Sequence, residues 1–380
     1  MSAALNALRA ARRVVVKIGS AQLVDAQTHQ EIPARFADLA QDFADLRHQG
    51  VEIVLVTSGA IAVGRSRLKL GPGELVTLEH KQAAAAAGQA KLIQLWDQAF
   101  ETHGLHAAQA LLSPADTEHR GRWLNARNTV ETLLKHGLVP VINENDTVAT
   151  EEIRFGDNDR LAARVAQLVG ADMVLILSDV DGLYDRHPDE DGAQHLDVID
   201  AITPHIKAMA GPTTANGIGT GGMASKIAAA EMAMAAGCTV IIARGDRGRP
   251  LQALESGARA SVFRAAQTAQ SARTAWITGS QAKGNLHIDT GAKQAVLSGK
   301  SLLPAGVTKV EGRFQRGETV RLVDPDGQAF ALGLAAYDDL EARAIAGLRS
   351  SEIEPRLGYR RGAGLVHAED LIVDGAVPAR

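Results

Sequence analysis

Arg13-Val14-Val15-Val16-Lys17-Ile18-Gly19 and Val51-Glu52-Ile53-Val54-Leu55-Val56-Thr57-Ser58-Gly59 decide the fold. Each is a short run rich in β-branched residues and closed by glycine, as a strand buried on both faces should be. Between them Phe36, Leu39, Ala40, Phe43 and Leu46 recur at the spacing of one helix face, which Gly50 closes. Leu92, Ile93, Leu95, Trp96, Ala99 and Phe100 mark another helix, stopped by Gly104. Further apolar runs follow at 107–112, 138–142, 173–177 and 239–243, with helical patterns filling most of the gaps. Strand-length runs alternating with helix-length segments predict an α/β fold, a mostly parallel sheet sandwiched by helices. An all-helical bundle fits badly, because the runs are too short and too β-branched.

The pattern changes after about residue 245. Apolar segments shorten to 285–289, 295–297, 307–312, 318–323 and 329–334, separated by glycine and by Asp324-Pro325-Asp326-Gly327. Short strands at such spacing predict a small β-rich second domain of barrel type. The expected boundaries are 1–250 for the α/β domain, 251–283 for a connecting segment, 284–362 for the β-rich domain and 363–380 for a C-terminal extension. A chain of 380 residues is long enough for two cores.

Composition narrows the function. Lys and Arg number 40 against 44 Asp and Glu, so no global basic field advertises nucleic acid or anionic membrane. The lone Cys238 excludes a disulfide framework and a cysteine-based zinc site. No run of about 18 apolar residues predicts a membrane span. The basic residues Arg9, Arg12 and Arg13 are not followed by a secretory cleavage pattern, so the cytoplasm is the expected location. The 12 histidines are scattered, with no helical zinc pair and no nucleophile elbow nearby.

In an open parallel sheet, ligands bind beyond the carboxyl ends of the strands. The residues just past each apolar run are therefore informative. Lys17, with Gly19 and Ser20 behind it, can aim a cation at phosphate oxygens; its bland alternative is a lysine snorkelling from a strand end. Ser58-Gly59 opens a helix whose N-terminus favours an anion, or else Ser58 is simply its N-cap. Asn143-Glu144-Asn145-Asp146 and Gly156-Asp157-Asn158-Asp159 gather acids and amides, able to hold an ammonium group or Mg²⁺ or to orient a lysine; a solvated turn is the plain reading. Ser178-Asp179 closes another run. Gly217-Ile-Gly219-Thr-Gly221-Gly222 matches the dinucleotide fingerprint but lacks the preceding strand, and it is not a Walker A loop either. It leads into a helix carrying Lys226 in its first turn. Two lysines, a glycine-rich loop, an anion-ready helix terminus and an acidic loop suit phosphoryl transfer, which needs positioning and charge neutralisation more than a nucleophile.

Together Val16-Lys-Ile-Gly-Ser20, Val56-Thr-Ser-Gly-Ala-Ile-Ala62, Pro140-Val-Ile-Asn-Glu-Asn-Asp146, Phe155-Gly-Asp-Asn-Asp159, Ser178-Asp-Val-Asp-Gly-Leu-Tyr184 and Gly219-Thr-Gly-Gly-Met223 resemble the glutamate 5-kinases of the amino-acid-kinase superfamily. Ser301-Leu-Leu-Pro-Ala-Gly306 and Phe314-Gln-Arg-Gly-Glu318 are similar to the PUA domain that bacterial members often carry. The resemblance implies the amino-acid-kinase fold and ATP-dependent phosphorylation of the glutamate γ-carboxylate, the first step towards proline. It further implies Mg²⁺, a cytoplasmic homo-oligomer and, in many members, inhibition by proline. By motif, Lys17 and Lys226 would touch the phosphates and Asp159 would orient both lysines. Ser58, Asp146 and Asn158 would hold glutamate. Ser178, Asp179 and the run Thr220, Gly221, Gly222, Met223, Ala224, Ser225 and Lys226 would line the nucleotide site. Asp146 suits the ammonium because Asn158, which can donate to a carboxylate, lacks a full negative charge. Ala224 departs from the serine usual there and removes a hydroxyl.

Aspartate or acetylglutamate kinase is the alternative within the superfamily, and the double Asn/Asp cluster separates them. RNA binding through the PUA-like segment is the alternative of another class. From Gly284 to Arg380 there are 12 Lys and Arg against 13 Asp and Glu, a balance that argues against a nucleic-acid partner. Arg313, Arg316 and Arg321 are the candidate local patch.

Overall fold

β-Branched residues at Val14, Val15 and Val16 build a strand with no exposed apolar surface, which requires a neighbour on each side and helices on both faces. That is what the computed structural model shows for β1 (Arg13–Ile18). It lies between β2 (Glu52–Thr57) and β5 (Met173–Ser178), parallel to both. The structure describes residues 2–25, 27–28, 30–69, 75, 77–148, 158–211, 222–362 and 364–373.

The remaining strands of this part are β3 (Ala107–Leu112), β4 (Val139–Glu144), β6 (Leu183–Tyr184), β7 (His195–Leu196), β8 (Val198–Ile199), β9 (Thr239–Arg244) and β10 (Ala260–Phe263). The main sheet has eight strands in the order β3-β4-β2-β1-β5-β9-β10-β8, and β6 pairs only with β7. Within the main sheet, among the described residues, only the β9–β10 pairing is antiparallel. The chain leaves β1 towards β2 and later crosses to β5 on β1's other side. The β1/β5 boundary is therefore the topological switch point, where ligands of such sheets bind.

The chain divides into two units, one of residues Met1–Glu118 and Asn125–Gln270, the other of His119–Leu124 and Ser271–Arg380. The first holds the eight-stranded sheet. Its core joins Val14, Val16, Leu55 and Leu175 to a stacked aromatic group of Phe36, Phe43, Trp96 and Phe100. Residues 251–270, expected within a connecting segment, belong to this unit. Pro250–Glu255 is a helix and β10 completes the sheet. The apolar run Ala260-Ser-Val-Phe263 is short and flanked by polar residues, so its pattern was masked.

The second unit contains a sheet in the order β12-β11-β13-β14-β15, from β11 (Gly284–Ile288), β12 (Val307–Gly312), β13 (Thr319–Val323), β14 (Ala329–Ala335) and β15 (Val366–Val373). These strands form a linear order rather than a closed ring. Residues 295–297 are not a strand: they end the Thr290–Leu297 helix, which Asp289 starts by accepting a hydrogen bond from Ala292 N at 2.7 Å. The expected C-terminal extension supplies β15. No helix among the described residues is long and apolar enough to cross a membrane.

Candidate active site

Lys17 ends its strand in the core, only 7% exposed. A buried ammonium needs a partner. Its Nζ lies 2.7 Å from Asp159 Oδ1, and Lys226 Nζ lies 3.3 Å from Oδ2 of the same carboxylate. Asp159 is 1% exposed, at the start of the Asn158–Val169 helix. Lys226 stands in the first turns of the Met223–Ala235 helix. One carboxylate thus pairs with two ammonium groups from distant parts of the chain at the switch point.

Asn158, the preceding residue, organises the neighbouring strand ends. Its Nδ2 donates to Ser58 Oγ at 2.6 Å and lies 3.2 Å from Asn143 Oδ1 and 3.3 Å from Thr57 O. The sense of this amide is set by its neighbours. A main-chain carbonyl such as Thr57 O only accepts. Asn143 Oδ1 is itself fixed as an acceptor by Glu144 N–H, which donates to it at 2.9 Å. Asn158 Oδ1 consequently points elsewhere, and among the described residues this buried oxygen meets no donor. Asn158 was expected to donate to a carboxylate. Its amide hydrogens are already engaged by the protein, so what it has to offer a ligand is an acceptor.

Ser58 is not the N-cap of the helix it precedes. Gly59 holds that position at a φ of 111°, with no side-chain cap on the Ala60–Arg67 helix. That left-handed conformation is open to glycine and strained for most other residues. The Ser58 hydroxyl accepts from Asn158. The adjacent helix terminus adds main-chain N–H groups and its dipole. This helix packs backbone to backbone on the Leu78–Glu101 helix. A Cβ on Gly64 would lie 1.7 Å from Ala84 O, and one on Gly88 would lie 1.8 Å from Ala60 O. The approach brings Gln89 to Asn143, whose Nδ2 donates to Gln89 Oε1 at 3.1 Å.

Asp146 begins the turn after β4 and is 9% exposed. Burial, with repulsion from Glu144 added, pushes its carboxyl up to about 7. A buried carboxyl poised in this way gains most from a cation that arrives with the ligand.

Beyond β1, Ser178 Oγ donates to Asp179 Oδ1 at 3.0 Å. The loop that follows is held from behind. Ser261 Oγ accepts from Leu183 N at 2.8 Å, and Tyr184 Oη donates to Asp181 Oδ1 at 2.9 Å. Gly182 has a φ of 151°, and a Cβ there would lie 2.3 Å from Ser261 Oγ. Gly222 caps the Met223–Ala235 helix without a side-chain hydrogen bond, and Met223, Ala224 and Ser225 form its first turn. Thr220 and Gly221 lie outside the described residues, as do 155–157 of the acidic motif. Sequence reasoning missed Gln89 and the Thr57 carbonyl. Gln89 carries a faint signal, an amide beside glycine after an alanine run.

Along the sheet edge the order is therefore Asn143, Thr57-Ser58, Lys17, then Ser178-Asp179. The profile of the amino acid kinase family matches residues 12–244, which contain all of these groups. The chain belongs to the amino acid kinase family. The PUA domain profile matches residues 284–357, in the second unit. Among curated relatives, a glutamate 5-kinase of Caulobacter vibrioides is 53% identical over 98% of this chain and 99% of its own length. The glutamate 5-kinase of Rhizobium rhizogenes is 50% identical over 97% of this chain and 95% of its own length. That of Brucella ovis is 50% identical over 99% of both chains.

Proposed function

We propose that this kinase transfers the γ-phosphoryl group of ATP to the γ-carboxylate of L-glutamate, giving γ-glutamyl phosphate, the first step towards proline. The carrying observation is the pair Asn158-Asp159. Adjacent residues organise an amino-acid pocket on one side and both lysines on the other. The α-ammonium of glutamate meets Asn158 Oδ1 and the Asp146 carboxylate. An α-carboxylate meets the Ser58 hydroxyl and the Ala60–Arg67 helix terminus. Names shared with near full-length relatives favour glutamate over aspartate and acetylglutamate.

The nucleotide lies on the Ser178-Asp179 side, with its phosphates towards Gly222–Lys226; Thr220 and Gly221, expected to line the same site, lie outside the described residues. In the transfer, a γ-carboxylate oxygen of glutamate forms a bond to the γ-phosphorus while the bond to the β,γ-bridging oxygen breaks, and ADP leaves with that electron pair. Lys17 and Lys226 neutralise charge on the phosphoryl oxygens, and Asp159 holds both ammonium groups in place before the substrates arrive. No side chain needs to become covalently attached. In this reading Mg²⁺ is bound to the phosphates of the nucleotide substrate, where it would neutralise their charge. The proposal includes a cytoplasmic homo-oligomer and feedback by proline, which shares an ammonium and a carboxylate with glutamate.

Release of ADP with glutamate, aspartate and acetylglutamate, compared side by side, tests the reading. Glutamate should support turnover and acetylglutamate, whose nitrogen is uncharged, should not. A preference for either of the other two acceptors overturns it.

A further inference from the structure

The Asn158 amide has two possible senses, and they present opposite chemistry to a ligand. In the observed sense the buried oxygen is an acceptor that meets no donor among the described residues. In the reversed sense an N–H₂ group would stand there and repel an ammonium. Thr57 O and Asn143 Oδ1 enforce the observed sense. Asn143 in turn is held by Glu144 N–H on its oxygen and by Gln89 Oε1 on its nitrogen. Asn143 is 2% exposed, so an unmet Nδ2 would be costly.

We propose that Gln89 is a positioning residue which, through Asn143, locks the Asn158 oxygen towards the substrate's α-ammonium, and so helps select a free amino group without touching it. The inference rests on the reading of the substrate as a free amino acid. Gln89 acts chiefly on the ammonium end. Asn158 also donates to Ser58 Oγ, so the carboxylate contact there is affected to a lesser degree, while the phosphate contacts at Lys17 and Lys226 do not pass through it. The long helix that carries Gln89 is held at this distance by the close Gly64–Gly88 crossing, so the amide reaches Asn143 from a rigid support.

The test compares the parent with Gln89→Leu and Gln89→Glu, using glutamate as substrate and glutarate, which lacks the amino group, as competitor. A lost hydrogen bond of this kind contributes roughly 0.5–1.5 kcal/mol, about a two- to tenfold change. Gln89→Leu should raise the glutamate KM by that factor while the ATP KM stays at its parental value and the glutarate inhibition constant rises less than the glutamate KM. Gln89→Glu retains an acceptor for Asn143 and should bind glutamate no more weakly than the parent. Gln89→Met is read in the same way should the leucine variant fail to melt as a folded protein. Equal weakening of glutamate and glutarate, or no change in either, overturns the proposal. A parent without glutamate-dependent ADP release would instead overturn the reading of the substrate.

Discussion

Strand β1 carries a cation at each end, and the two are treated in opposite ways. At the amino end Arg13 meets two carboxylates, Glu52 at 2.7 Å and Glu131 at 2.5 Å, and also donates to Val169 O. Asp172 beside it accepts from the main-chain N–H groups of Arg12 and Arg13 at 2.8 and 3.0 Å. At the carboxyl end the ammonium groups of Lys17 and Lys226 share the Asp159 carboxylate. Folding alone explains the first arrangement, since its ion pairs and hydrogen bonds tie neighbouring strand ends and a helix together. The second keeps cationic groups fixed around a shared anion, which suits the negative charge of a transferring phosphoryl group. Polar clusters at the two edges of one sheet can thus be told apart by what they gather: the amino edge ties one cation to neighbouring elements, and the carboxyl edge brings two lysines to one carboxylate.

Replacing each cation should break the comparison cleanly. Lys17→Ala should lower kcat by about 10²–10³, the usual loss when a donor to the transition state is removed. The melting curve should remain cooperative; near-parental turnover in such a protein would remove Lys17 from the chemistry. Asp146→Asn comes next. Hydrogen bonds to charged groups contribute roughly 1.5–3 kcal/mol, so the glutamate KM should rise about ten- to a hundredfold with the ATP KM little changed. Varying each substrate in turn checks this.

The raised Asp146 carboxyl predicts a smaller effect with a definite sign. Its ionised form is the one that pairs with ammonium, so the glutamate KM should fall as pH rises through about 7, and Asp146→Asn should flatten that limb. Because the folded value lies above the ordinary one, the folded protein without substrate binds more protons than the unfolded chain between about pH 4 and 7. This group therefore subtracts from stability as pH rises across that window. A melting series of the substrate-free protein with and without Asp146→Asn should show the difference. Arg13→Ala should affect catalysis least of all. It should cost stability, about 1.5–3 kcal/mol by loss of charged hydrogen bonds, with both KM values and kcat unchanged. A kinetic defect equal to that of Lys17→Ala would erase the distinction between the two ends.

Much of this site was legible because strand ends announce themselves. Valine runs that stop at Lys17, Ser58 and Ser178 point to one edge of a parallel sheet, and Asp159 opens an apolar helix. What stayed hidden depends on geometry across distant elements. The direction of the Asn158 amide follows from Thr57, Asn143 and Glu144 N–H, and no spacing in the chain encodes that meeting. Gln89 comes into reach only because Gly64 and Gly88 let two helices touch. In the fold, β10 was obscured by polar flanks, and the Thr290–Leu297 helix was obscured because a two-turn helix has too few residues to display a period. β15 lies apart in the sequence from the strands it joins, and an edge strand with exposed positions carries a weaker apolar pattern than β1.

The most direct test of the account follows the atoms. Glutamate labelled with heavy oxygen in its γ-carboxylate is incubated with ATP and the enzyme, and hydroxylamine is added to capture the acyl phosphate. Hydroxylamine attacks the carbonyl carbon, so the inorganic phosphate released should carry one heavy oxygen from the carboxylate, with γ-glutamyl hydroxamate formed in equal amount. Unlabelled phosphate without hydroxamate would show that water, not glutamate, accepts the phosphoryl group, and would contradict the role assigned to the Lys17–Asp159–Lys226 cluster.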